Sequence, residues 1–83
     1  MADSLEGRIV EIIQFTLRRE SGNSELTLGP SDSMETVGEW DSLSFMSVFC
    51  AINEAFGIDP EFDDAVHYLS VPSLHRYLGR VIP

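Results

Sequence analysis

Lysine is absent from this 83-residue sequence, and five arginines face fourteen acids, for a formal charge of −9. A surface that acidic repels phosphate, which excludes a nucleic-acid binder. The single cysteine, Cys50, excludes an internal disulfide and a cysteine-rich zinc site. No apolar run approaches the roughly 20 residues that cross a bilayer. The N-terminus also lacks the basic-then-apolar pattern of a secretory signal. A cytoplasmic protein with no membrane span is therefore expected. Alternating strand patterns, internal repeats and low-complexity tracts are missing as well.

Catalytic equipment is equally sparse. The two histidines, His67 and His75, sit in the final quarter without acidic neighbours in sequence. Cys50 falls mid-helix with no local base, as a small apolar residue would. Asp59, Glu61, Asp63 and Asp64 resemble a calcium loop only briefly. Counting from Asp59, the sixth position is Asp64 rather than Gly and the twelfth is Ser70 rather than Glu. No glycine-rich phosphate cradle is present. The chain is expected to be neither an enzyme nor a metal protein.

What is present suits one small domain spanning 1–83. At 43% hydrophobic and 23% charged, the chain has enough apolar side chains for a core. At this length roughly 60% of the unfolded surface can be buried, which limits the core to a few short elements. The spacing predicts an amphipathic helix over 4–19, with Leu5, Ile9, Ile12, Ile13, Thr16 and Leu17 inward. Arg8, Glu11, Gln14 and Arg18 fall on its opposite face. Asp3 and Glu6 resemble a capping box, and Gly22 stops the helix. Residues 20–40 form a long loop, pinned by Leu26, Leu28, Met34, Val37 and Trp40. A second helix covers 42–56, between an Asp41 N-cap and a Gly57 stop. A short helix covers 61–68, and a last one 72–81 turns Leu74, Tyr77, Leu78 and Val81 inward. The expected fold is all-α, a small four-helix bundle of three main helices plus a short third one.

The charge is segregated. Residues 1–19 hold three acids and three bases, 20–64 hold eleven acids and no base, and 65–83 hold two arginines and no acid. The acidic middle either keeps the chain soluble or presents a field to basic partners. Within it, Gly38-Glu39-Trp40-Asp41-Ser42-Leu43 ends the loop and opens the second helix. Ser42 there stands close to orphan N–H groups and the positive dipole end, which favour a phosphate ester. The same residues fit a pure cap, in which Asp41 takes those N–H groups.

Trp40-Asp41-Ser42-Leu43, then Phe56-Gly57-Ile58, Ser70-Val71 and Leu74-His75-Arg76-Tyr77-Leu78, resemble the stand-alone acyl carrier proteins. The similarity is good over 40–81, and the helix order matches along the whole chain. The resemblance implies a four-helix bundle with a long first loop, and 4′-phosphopantetheine esterified to Ser42, with Asp41 as its motif neighbour. It implies a phosphopantetheinyl transferase and acyl-transfer, synthase or ligase enzymes as partners of a monomeric carrier. An aminoacyl or peptidyl carrier shares this pattern, and an unmodified acidic helical adaptor is the remaining alternative. Asp3-Ser4-Leu5 also matches the tripeptide and Asp32-Ser33-Met34 nearly does, but only Ser42 has the loop before it and the helix after it.

The sequence departs from the fatty-acid carriers on helix II. Ser44, Ser47 and Asn53 stand where acids are usual, and only Asp41 and Glu54 are charged within 41–56. A specialised polysaccharide, lipid or secondary-metabolite pathway is therefore as compatible as fatty-acid synthesis. On the wheel of this helix, Phe45, Val48, Phe49, Ile52 and Phe56 form a core arc, while Ser44, Ser47 and Glu54 suggest water. Leu43, Met46 and Cys50 lie on a second arc beside Ser42. They are expected to form an exposed or half-exposed apolar stripe that docks partners together with Glu54, unless they pack under the loop.

Overall fold

The first helix, α1 (Leu5–Ser21), begins where the Ser4 hydroxyl accepts a hydrogen bond from Gly7 N–H at 2.9 Å. The computed structural model describes residues 4–82. The expected Asp3–Glu6 capping box therefore involves a residue outside those described, and Ser4 is the N-cap. Gly22 ends α1 with a φ of 76°, a left-handed conformation that glycine adopts without steric cost. Ile9, Ile13, Thr16 and Leu17 are buried as the periodicity predicts, with Leu5 and Ile12 partly so. Thr16 brings a hydroxyl into the core and satisfies it on Ile12 C=O at 2.8 Å.

Two polar residues of α1 depart from the expected solvated face. Gln14 Oε1 accepts from Leu28 N–H at 2.9 Å, and Arg18 Nε donates to Leu26 C=O at 2.7 Å. Both hold the long loop to the helix. Leu26 and Leu28, with Val37 and Trp40, then enter the core, and Met34 packs against it. The loop is further tied to the far end of the chain by Met34 N–H to Leu69 C=O and Val71 N–H to Asp32 C=O, both at 3.0 Å. These flank an isolated bridge between Ser33 and Ser70. Among the described residues there is no strand.

Helix α2 (Ser42–Phe56) matches its expected bounds and stops at Gly57 with φ 64°. Val48 and Ile52 are fully buried, whereas Phe45, Phe49 and Phe56 are only partly buried against the core. A short 3-10 helix (Phe62–Leu69) and α3 (Val71–Val81) complete the chain. The Tyr68 hydroxyl donates to Asn53 Oδ1, and the Tyr77 hydroxyl donates to Asp64 Oδ2 at 3.2 Å. Burial pushes both phenols above the ordinary tyrosine range, so each stays a donor. These bonds clamp the short helix between α2 and α3. Leu74, Tyr77 and Leu78 face the core, but Val81 is 42% exposed, at the rim of an open recess shared with Ile58, Pro60 and Glu61. The radius of gyration, 11.7 Å, matches the roughly 12 Å of a compact chain of this length.

Candidate functional site

The loop delivers its last residues to α2 through a short chain of backbone turns. Trp40 N–H donates to Val37 C=O at 3.0 Å, and the indole, 1% exposed, anchors the junction in the core. Asp41 follows in extended conformation. Its Oδ1 accepts from Leu43 N–H at 3.0 Å and Ser44 N–H at 3.1 Å. Ser44 reciprocates: its hydroxyl accepts from Asp41 N–H at 2.9 Å and donates to Glu39 C=O at 2.7 Å. This reciprocal box explains why Ser44 is buried, against the expectation that it meets water. It is part of the cap, so it does not stand in for a missing surface acid.

The same bonds decide what the helix end offers Ser42. The Leu43 and Ser44 N–H groups are taken by Asp41, which corrects the idea that they are donors for a phosphate ester. Asp41 is the N-cap of α2. The bonds from Ser44 and Leu43, the former the stronger, hold its carboxyl below the ordinary value of 3.8 despite an opposing desolvation effect. It is a correspondingly poor proton acceptor. Asp41→Asn is expected to lower the melting temperature at neutral pH. Because the folded pKa is depressed, that difference should persist above 3.8 and close as pH falls through the folded value. Thermal melts of the two proteins across acid pH check it.

Ser42 is the first residue of α2, and it is exposed. Among the described residues its hydroxyl makes no hydrogen bond, whereas Ser4 Oγ is engaged by Gly7 N–H and Ser33 Oγ by Glu35 N–H at 3.1 Å. Of the three serines in Asp-Ser contexts, Ser42 alone is rigidly placed on a helix with a free nucleophile. A covalent group attached there needs only an accessible hydroxyl, and the residues present fit that requirement. Leu43 at 85% and Met46 at 56% are exposed, as are Cys50 and Glu54. The stripe does not pack under the loop.

Two features of the site were not legible beforehand. An open recess of about 370 Å³ at the start of α2 is bordered by Glu20, Glu39, Asp41, Leu43 and Ser44. The two glutamates come from the end of α1 and from the loop, and they restore acidity that α2 itself lacks. On the other side, Arg19 of α1 lies along the Met46–Cys50–Glu54 face, and Phe15 borders a groove with Glu54. Asp59, Glu61, Asp63 and Asp64 do not form a centre: Asp64 Oδ2 accepts from Glu61 N–H at 3.0 Å and from Tyr77. Among the described residues no three His, Cys, Asp or Glu side chains gather, and no helix is long and apolar enough to cross a membrane. Compared with protein-family models, curated proteins and solved structures, the chain matches none.

Proposed function

We propose that this chain is an acyl carrier protein of the four-helix-bundle type, carrying 4′-phosphopantetheine on Ser42. The observation that carries the reading is the unengaged, exposed Ser42 hydroxyl at the first position of α2, inside the Trp40-Asp41-Ser42-Leu43 motif. When attached, the group supplies a terminal thiol that holds acyl cargo as a thioester. The chain's own part is placement. Trp40 fixes the loop end in the core, and the Asp41–Ser44 box fixes the first turn, so Ser42 Oγ projects from a rigid base. Asp41 Oδ1 is engaged by the Leu43 and Ser44 N–H groups, and among the described residues no hydrogen bond joins it to the Ser42 hydroxyl. A tethered arm then raises the effective concentration of cargo at each partner site.

Leu43, Met46, Cys50 and Glu54 are the surface that a phosphopantetheinyl transferase and the acyl-transfer, synthase or ligase enzymes would meet. Glu20, Glu39 and Asp41, in the recess with Leu43 and Ser44, favour a basic rim on those partners. Association with the transferase is expected to slow as ionic strength rises, because surface charges screen over about 8 Å at physiological salt. Stopped-flow rates across a salt series check this, and a flat profile would assign the acidity to solubility. The deciding experiment is intact mass after co-expression with a broad-specificity phosphopantetheinyl transferase. A mass increase of one phosphopantetheine supports the carrier reading, and none supports the unmodified adaptor. Loading with acyl or aminoacyl donors then separates the acyl carrier from the aminoacyl or peptidyl one.

A further inference from the structure

Helix α1 carries a surface that the carrier reading does not use. Phe15 belongs to neither the core arc nor a polar face, and it is 64% exposed. It lies in an open groove of about 480 Å³ between α1 and α2, shared with Glu11, Arg19 and Glu54. Arg19 stacks over the Phe15 ring, 5.5 Å from its centroid, which keeps the guanidinium beside the ring and leaves its hydrogen-bond donors to solvent. Among the described residues the one close contact between a basic and an acidic side chain is His75 with Glu6, and Glu11, Arg19 and Glu54 have no charged partner there.

The order of these residues is self-complementary. Glu11, Phe15 and Arg19 are spaced i, i+4, i+8, so they follow one face of the helix. The acid and the base stand about 6 Å along the axis on either side of the ring. A two-fold axis through Phe15, perpendicular to α1, sets a second α1 antiparallel to the first. Phe15 then meets Phe15 of the other copy, and each Glu11 meets the other Arg19. Interfaces with such symmetry use one patch twice, and a patch with opposite charges flanking an apolar centre is the kind that suits it.

Charge distribution points to the same face. A net charge of −9 opposes contact between copies, but of the eleven acids in residues 20–64 only Glu54 borders this groove, whereas residues 1–19 balance three acids with three bases. At physiological salt the distant acids are screened over about 8 Å, and pairs in contact are screened less. We infer that the α1 face of Glu11, Phe15 and Arg19 is a self-association surface on which two copies of this chain pair antiparallel. One helix face is well below the roughly 1,200 Å² of a standard stable interface, so the pairing is weak and transient. It departs from the monomer expected from the sequence. Because Met46 and Cys50 share the adjoining recess with Arg19 and Glu54, pairing would crowd the stripe beside Ser42.

The test is sedimentation equilibrium of the full chain under reducing conditions at physiological salt, up to about 1 mM protein. Wild type is expected to show a monomer–dimer equilibrium in that range. Glu11→Arg and Arg19→Glu should each weaken it about tenfold or more, since each replaces two attractions with two repulsions. Phe15→Ser should weaken it as well, and circular dichroism melts establish that all three variants fold. Mixing Glu11→Arg with Arg19→Glu should restore a heterodimer, because both pairs are then opposite in sign again. A wild type that stays monomeric to about 1 mM overturns the proposal and leaves the face to another partner. A mixture that stays monomeric while wild type dimerises overturns it too. Ser42→Ala should associate like wild type, so this experiment can fail without touching the attachment reading.

Discussion

Ser42→Ala is expected to abolish the mass increase produced by a phosphopantetheinyl transferase while leaving the fold essentially unchanged. The substitution removes the one nucleophile that the motif presents. It costs little in structure, because Ser42 is exposed and its hydroxyl has no hydrogen-bond partner among the described residues. Alanine also suits a first helical turn, and surface changes of this kind stay within about 0.5 kcal/mol. Ser4→Ala and Ser33→Ala are the informative controls. Each should still be modified, although Ser4→Ala removes the N-cap of α1 and should destabilise by about 1 kcal/mol. Intact mass and thermal melts of the three variants check both halves. Loss of the added mass in Ser4→Ala or Ser33→Ala, and not in Ser42→Ala, would sink the assignment.

The second large effect separates core from surface on one helix. Ile52 is fully buried on α2, and Ile52→Ala should cost about 2–5 kcal/mol through lost burial and the cavity left behind. Leu43 and Met46, on the other arc, are 85% and 56% exposed. Leu43→Ala and Met46→Ala should therefore melt within a few degrees of wild type, within about 0.5 kcal/mol. If the stripe docks partners, each should weaken transferase binding by about 1–2 kcal/mol, which titration of the transferase measures. Normal modification kinetics in both variants would remove the docking role and leave the stripe as plain surface.

The sequence carried the elements well because their signals are local. Gly22 and Gly57 take the left-handed conformation that ends a helix, and Asp41 caps the one that follows it. The apolar periods of α1 and α2 select residues that are buried or packed on the core, and Leu26, Leu28, Val37 and Trp40 are the buried points of the loop. Ser42 was legible for the same reason: a loop, a cap and a helix start are all written within a few adjacent residues.

Where the reading slipped, a partner distant in sequence decided the outcome. Gln14 and Arg18 sit on the polar arc of α1, yet they bind the Leu28 and Leu26 backbone across 14 and 8 residues. Ser44 reads as a water-facing helix residue, but a side chain short enough to fold back on Asp41 and Glu39 is buried in the cap. Val81 continues the inward period of α3 and is exposed, because a helical wheel does not show that the facing Ile58–Glu61 segment leaves an open recess there.

By itself the sequence determined the helical segments, their stops, most of the core and the serine at the head of α2, since each rests on contacts within a turn or on a 3.6-residue period. Only the tertiary structure decided what gathers around the first turns of that helix. Packing α1 and the loop against α2 brings Glu20 and Glu39 to the recess of Asp41, Leu43 and Ser44 and sets Arg19 along the Met46–Cys50 face. Convergence of that kind depends on how helices cross and where a loop is pinned, and the residues that meet there have no fixed spacing in the chain.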